Sequence, residues 1–207
     1  MQDCGILTFE RMIHEGGIKL IAAVDEAGRG PVAGPVTAAA VILPFDSFIS
    51  GVTDSKKISG KMREELVAKI YQVALDYSIA HVDNETIDRI NILNATRLAV
   101  RRAVEALKIR PQIILIDGKF LNVQGYSCIS VVKGDQHVYS ISAASIIAKT
   151  ARDNLMKEYS IDYPKYRFDK NKGYLTTEHL LAISLYGLSP IHRRSFRYSI
   201  PGKEINL

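Results

Sequence analysis

No run of apolar residues approaches the roughly 18 needed to cross a bilayer, so a helical membrane span is not expected. The start MQDCGILTFERM has no basic stretch leading into an apolar one, so no export signal is expected and the default compartment is the cytoplasm. Cysteine is scarce. Cys4 and Cys128 stand far apart and form no C-x-x-C pair, which argues against thiolate zinc sites and a disulfide framework. Repeats, low-complexity tracts and Pro/Gly/Ser linkers are also missing. That pattern predicts one domain over residues 1–207, with a core at about 18–190 and a tail over 191–207. With no coiled coil to pair chains, a monomer is expected.

What the chain does have is an ordinary globular complement of apolar residues, 47% of 207, and a net charge of +5 with a pI near 9.1. A basic surface favours a polyanionic partner without identifying one. LIAAV (20–24) and VTAAAVIL (36–43) are short apolar runs either side of a Gly/Pro-rich loop and read as buried strands. DYSIAHV (76–82), QIILID (112–117) and CISVV (128–132) read as three more. Helices are predicted over 61–75, with Ser59 as cap, over 91–108, and over about 140–158. A further short helix begins after Thr176, with Leu175 and Leu180 as a hydrophobic staple, and ends at Gly187. The class is α/β.

Three acidic points fall at predicted strand ends. Asp25 and Glu26 precede AGRG, Asp117 precedes Gly118, and Asp135 closes VKGD (132–135). Neighbouring side chains on a strand face opposite ways, so Asp25 and Glu26 are expected to share a site only if the strand breaks there. If the strands carrying Asp25 and Asp117 run parallel, both acids emerge at one carboxyl edge, where α/β sheets place their ligands. Clustered carboxylates need neutralising, and oxygen donors without His or Cys suit Mg²⁺ or Mn²⁺ rather than zinc. His14, His81, His137, His179 and His192 are scattered, and none lies in the acidic loops, so histidine acid–base chemistry is disfavoured. On a basic protein, such an acidic site suggests a phosphodiester substrate, which paired ions roughly 4 Å apart can activate.

VDEAGRGPVAGPV (24–36), DSKK (54–57), IDRINILNAT (87–96), IDGK (116–119), VKGD (132–135), SAASIIAKTARD (142–153), NKGY (171–174) with His179, and HRRSF (192–196) together resemble the ribonuclease HII family, the type 2 ribonucleases H. The motifs span most of the chain in the family's order. The resemblance implies a ribonuclease H-like fold, a central mixed five-stranded sheet flanked by helices, with a short helical C-terminal region. It also implies an endoribonuclease that hydrolyses the RNA strand of RNA–DNA hybrids. The same family incises 5′ of single ribonucleotides embedded in duplex DNA by a two-metal-ion mechanism, leaving 3′-hydroxyl and 5′-phosphate ends. Removal of RNA primers and excision of misincorporated ribonucleotides are the processes such an enzyme serves. Leu175, where Gly or Pro commonly follows the Gly-Tyr pair, and Val100, where Met is usual, depart from the pattern. The Gly-Arg-Gly loop sets the chain apart from the type 3 relatives.

Carried over by motif, Asp25, Glu26, Asp117 and Asp135 are the expected metal-binding and catalytic acids, with Asp153 competing for the fourth place. Gly28, Arg29 and Gly30 match the turn that contacts the ribonucleotide. Glycine lets backbone approach a ribose closely, and the 2′-hydroxyl both donates and accepts. Tyr174 matches the tyrosine that stacks on the sugar after the ribonucleotide. Lys56, Lys57, Lys149, Arg193 and Arg194 are expected on phosphates, which position a duplex without reading its sequence. Ser145 and Thr150 are expected to serve packing. The rival reading is a hybrid-binding protein in which the acids only shape loops.

Overall fold

A computed structural model describes residues 8–45, 47–119, 122–200 and 203–205. Cys4, named above, lies outside them. In chain order the elements are α1 (Thr8–Glu15), β1 (Ile21–Ala27), β2 (Val36–Ile42), α2 (Gly60–Val73), β3 (Asp76–Val82), α3 (Asn84–Glu105), β4 (Ile113–Asp117) and β5 (Cys128–Val131). There follow α4 (Gly134–His137), α5 (Tyr139–Asp162), a 3-10 turn at Pro164–Tyr166, α6 (Phe168–Asn171), α7 (Thr177–Tyr186), and a hairpin of β6 (Tyr198–Ile200) with β7 (Lys203–Ile205). The main sheet has five strands in the order β3-β2-β1-β4-β5. It is mixed, since β1 is antiparallel to β2 and β2 to β3, whereas β4 is parallel to both β1 and β5.

Period-two alternation divides the sheet's side chains between two apolar layers. Ala22, Val24, Ala38, Ala40, Ile114 and Ile116 pack with Ala95, Ala99, Ala103 and Val104 of α3. The odd-numbered Ala23, Ala39, Val41 and Leu115 pack with Leu66 and Ile70 of α2 and with Ala143, Ala144 and Ile147 of α5. Alanines at the centre of β1, β2 and α5 let α5 lie close on the sheet, as the small-residue pattern at 140–158 predicts. A third apolar cluster joins Ala33, Met156, Tyr166, Phe168, Ala182, Ile183 and Ile191, with Leu175 at its margin, and anchors the C-terminal region to the end of α5. Leu175 is thereby a packing residue.

The caps explain where helices start. Ser59 accepts from the Met62 amide and Thr176 from the His179 amide, as the sequence predicts. The helix expected to begin at Asn91 begins at Asn84, behind an Asp83 cap that accepts from Thr86. Asn91 nevertheless breaks it. Its φ of 64° is non-helical, and its side chain accepts from the Asn94 amide, so α3 is two capped segments in series. The residues of α1, α4 and α6 carry too few turns for periodicity to reveal them. No helix among the described residues is long and apolar enough to cross a membrane.

Candidate active site

The parallel pairing of β1 with β4 runs from Ile21↔Ile113 to Val24↔Ile116, so the next residues, Asp25 and Asp117, come level at the carboxyl edge. Here the structure corrects one expectation. β1 does not break at Asp25 but stays paired with β2 through Glu26↔Ala38 and Ala27↔Thr37. The shared site arises because β4 stops at Asp117 while β1 runs on. Beyond β4 one edge of β1 is open, and acids from both of its faces reach the same notch. Asp25 follows the odd-numbered residues toward α5, where Ser145 donates to it. Glu26, one residue on, lines a cleft of about 700 Å³ with Gly28, Arg29, Gly30, Ser55, Lys56, Ser145, Lys149 and Tyr174.

Burial and mutual repulsion set the electrostatics. Asp25 is 4% exposed, and burial first, then the charges of Glu26 and Asp117, hold its carboxyl well above the usual range. Its Oδ1 accepts the Glu26 amide at 2.7 Å. Burial also raises Glu26, against the pull of Arg29, whose Nη1 lies 3.1 Å from Oε1. The other oxygen of Glu26, Oε2, is buried with no hydrogen-bond partner. Asp117 is raised by burial and by Asp135, while its Oδ1 accepts the Gly134 amide at 2.6 Å. Lys133 takes a left-handed φ of 55° to start α4, which brings Asp135 round toward Asp117. Asp135 Oδ2 receives the Lys56 ammonium at 3.2 Å.

Among the described residues no three carboxylate, imidazole or thiol groups are drawn close enough to enclose a cation by themselves. Lys56 and Arg29 supply the countercharge instead. The donor set still fits a hard divalent ion: oxygen ligands only, carboxyls at Asp25, Glu26 and Asp117 whose charges repel one another, and one buried carboxylate oxygen lacking a partner.

Asp153 stands elsewhere. Lys149 reaches its Oδ1 at 2.7 Å and Arg63 its Oδ2 at 3.1 Å, so it is an ion-paired residue of α5 in a different depression, one it lines with Gly60, Thr150 and Lys172. Arg193 requires a second correction. Expected on phosphate, it is 0% exposed and directs its donors inward, to the carbonyls of Gly28, Arg29, Pro31 and Gly34. Lys57 and Arg194 are exposed. The phosphate role assigned to Lys149 is limited by its tie to Asp153.

Sequence reasoning missed the roles of four residues. Ser145, assigned to packing, binds Asp25 and also pairs with Ser55 Oγ at 2.8 Å, linking the DSKK loop to the acids. Arg152 is buried with Nε 2.9 Å from the Pro35 carbonyl, bracing the loop after Gly-Arg-Gly. His192 and His179 form a buried pair with their Nε2 atoms 3.0 Å apart. The two histidines stand 13 positions apart and meet only in the tertiary structure, so no local pattern signals their contact.

The direction of that pair follows from its neighbours. The Ser189 amide donates to His192 Nδ1 at 2.9 Å, so that proton must sit on Nε2, which donates to His179 Nε2. His179 Nδ1 then donates to the Tyr174 carbonyl at 2.9 Å. Both rings are neutral, and burial first, then His179, takes His192 from 6.5 down to about 4. A histidine lowered by folding contributes stability that is present above its unfolded value and lost as pH falls toward the folded one. The unfolding temperature is therefore expected to drop between pH 6.5 and about 4, and His192→Gln to flatten that drop. Calorimetry across that range, with both proteins giving parallel profiles, would contradict it.

The comparisons with known proteins come to the same place. The sequence model described as ribonuclease HII matches residues 22–199. A ribonuclease HII from Caldicellulosiruptor bescii is 48% identical over 191 residues, covering 92% of this chain and 92% of that protein. The crystal structure of ribonuclease H2 from Pyrococcus horikoshii OT3 superposes with a TM-score of 0.72 at 28% identity, over 86% of this chain and 93% of that one. At 19% identity, Bst-RNase HIII in complex with Mn²⁺ shares the fold alone, with a TM-score of 0.62 over 84% of this chain and 65% of that one. With its sheet order, its acids at the β1–β4 edge and a family match over most of its length, this chain belongs to the ribonuclease HII family of nucleases.

Proposed function

We propose that this protein is a divalent-metal-dependent endoribonuclease that cuts the RNA strand of RNA–DNA hybrids and incises 5′ of a single ribonucleotide within duplex DNA, leaving 3′-hydroxyl and 5′-phosphate ends. One observation carries the reading. Glu26 of the acidic notch and the Gly-Arg-Gly loop line one cleft, so a group able to sense a ribose stands beside an acid of the set able to hydrolyse its phosphodiester. Asp25, Glu26, Asp117 and Asp135 would hold Mg²⁺ or Mn²⁺. Such ions neutralise phosphate charge and make a water nucleophilic near neutral pH, with two ions serving the attacking and leaving oxygens.

The chain's own groups do the rest. Lys56, on Asp135, and Arg29, on Glu26, neutralise the acids, and both are placed to turn onto phosphate oxygens as the substrate arrives. The 52% exposure of the Arg29 side chain and the 75% exposure of that of Lys56 leave them free to do so. Lys57 and Arg194 extend the basic surface, and Lys149 reaches the cleft wall. Ser145 and Ser55 fix Asp25 relative to the DSKK loop. Tyr174 is 47% exposed over the cleft, its ring 3.6 Å from where a Cβ on Gly30 would lie, which suits stacking on the sugar next to the ribose.

The test is a DNA duplex with one ribonucleotide, incubated with Mg²⁺ or with EDTA. Incision 5′ of the ribonucleotide only with Mg²⁺ is expected. Binding with no cutting in either would favour a hybrid-binding protein whose acids merely shape loops. Tyr174→Ala is expected to lower cleavage at a single ribonucleotide by roughly tenfold or more, and cleavage of a long hybrid much less. Equal loss on both substrates, in steady-state assays, would remove the tyrosine from junction sensing.

A further inference from the structure

Residues 28–35 form a loop whose first three residues line the cleft, and its carbonyls are held from behind by two arginines. Arg193 donates from Nη2 to Gly28, from Nη1 to Arg29 at 3.1 Å and to Pro31 at 2.7 Å, and from Nε to Gly34 at 2.9 Å. Its own amide donates to the Val32 carbonyl at 2.9 Å. Arg152 takes the Ala33 carbonyl at 3.1 Å and the Pro35 carbonyl at 2.9 Å. Both side chains are essentially unexposed, and neither guanidinium is ion-paired to a carboxylate among the described residues. Burying a charge this way is expensive, and a loop that only had to turn would not require it.

A trans peptide is planar, with its C=O and N–H pointing opposite ways. Drawing the carbonyls of Gly28 and Arg29 toward Arg193 therefore turns the amides of Arg29 and Gly30 the other way, into the cleft. Neither amide has a partner among the described residues. The guanidinium lies at the inner end of both peptide dipoles. Its charge adds to the positive potential that the two amides present on the cleft side.

We infer that Arg193 is a positioning residue for ribose recognition: it orients the Gly28–Arg29 and Arg29–Gly30 peptides so that two backbone amides become fixed donors for the 2′-hydroxyl and adjoining phosphate. This rests on the function proposed above. It also replaces the surface role that the sequence suggests for Arg193. Lysine cannot substitute, because one ammonium lacks the planar fork that spans four carbonyls. Arg101, exposed on α3 and paired with Glu105, serves as the control for an arginine-to-lysine exchange as such.

The test compares binding, with Ca²⁺ in place of a catalytic ion, to a duplex containing one ribonucleotide and to the same duplex in all-deoxy form. The wild type is expected to prefer the first, and Arg193→Lys to lose that preference by roughly tenfold, the value of about one charge-supported hydrogen bond, while keeping its affinity for the all-deoxy duplex. Arg101→Lys should keep both. Full preference in a folded Arg193→Lys would overturn the inference. Absence of preference in the wild type would instead strike the proposed function, so the two failures are distinct. Should Arg193→Lys not fold, amide hydrogen exchange on the wild type decides: Arg29 and Gly30 should be protected by the ribonucleotide duplex and not by the all-deoxy one. Equal protection by both would refute the role.

Discussion

Asp117→Asn is expected to lower the incision rate by about three orders of magnitude, the several kcal/mol that a bound divalent ion supplies to a transition state. Duplex affinity should change by less than roughly threefold, because basic side chains on phosphates set it. The substitution isolates charge. Asparagine keeps an oxygen for the Gly134 amide, which now lies 2.6 Å from Asp117 Oδ1, so the VKGD loop and Asp135 stay in place. It also removes one of the charges that hold the Asp25 carboxyl above its usual range. The variant should therefore be at least as heat-stable as the wild type without metal, and gain less from added Mg²⁺, since ligand stabilisation scales with affinity. An unchanged cleavage rate would take Asp117 out of the mechanism. A drop in both rate and metal-free melting temperature would make it a folding residue.

Substitutions at Gly28 and Gly30 should part company, although the sequence treats the two glycines alike. Gly28 has a φ of +95°, and a Cβ there would lie 2.0 Å from Arg152 Nε and 2.7 Å from the Pro35 carbonyl. Alanine is strained at that φ and collides with a buried guanidinium, away from any ribose. Gly28→Ala should consequently lower the unfolding temperature by roughly 5 °C or more, with activity falling on every substrate. At Gly30 a Cβ meets only the Tyr174 ring, at 3.6 Å, an ordinary contact. Gly30→Ala should leave stability within about 0.5 kcal/mol of wild type. Its methyl group would stand between the loop and Tyr174, where the sugar is expected, and cost about tenfold or more in cleavage at a single ribonucleotide. Scanning calorimetry and a single-turnover assay on both variants would check this. Normal cleavage by Gly30→Ala would mean that the ribose does not pass between the loop and Tyr174.

Much of the fold is legible along the chain because strands and caps are local features. Short apolar runs bounded by Gly, Pro and acids marked all five strands of the main sheet, to within three residues at either end. Ser59 and Thr176 marked helix starts because a cap acts on an amide only three residues away. Where a second signal competed, the reading slipped. INILNAT looks like a helix start since Asn91 does cap a segment, yet Asp83 caps an earlier one that leads into it.

The acids were visible as residues, though not for the reason first suggested. Their sharing of one notch depends on β1 continuing past the end of β4, a difference in strand length that neither strand encodes alone. The same holds for Lys56 meeting Asp135, 79 positions away, and for Ser145 reaching Asp25.

By itself the sequence determined the α/β class, the strand-end placement of Asp117, and, through its motifs, the family, because each of these rests on residue type at short spacing. Tertiary structure alone decided that Asp135 rather than Asp153 stands beside Asp117, that Arg193 faces inward, and that the two histidines touch. Those outcomes depend on which carbonyls, charges and rings distant segments bring to a given side chain. An arginine written beside an exposed arginine, as in HRRSF, carries no local mark of whether water or backbone will satisfy its donors.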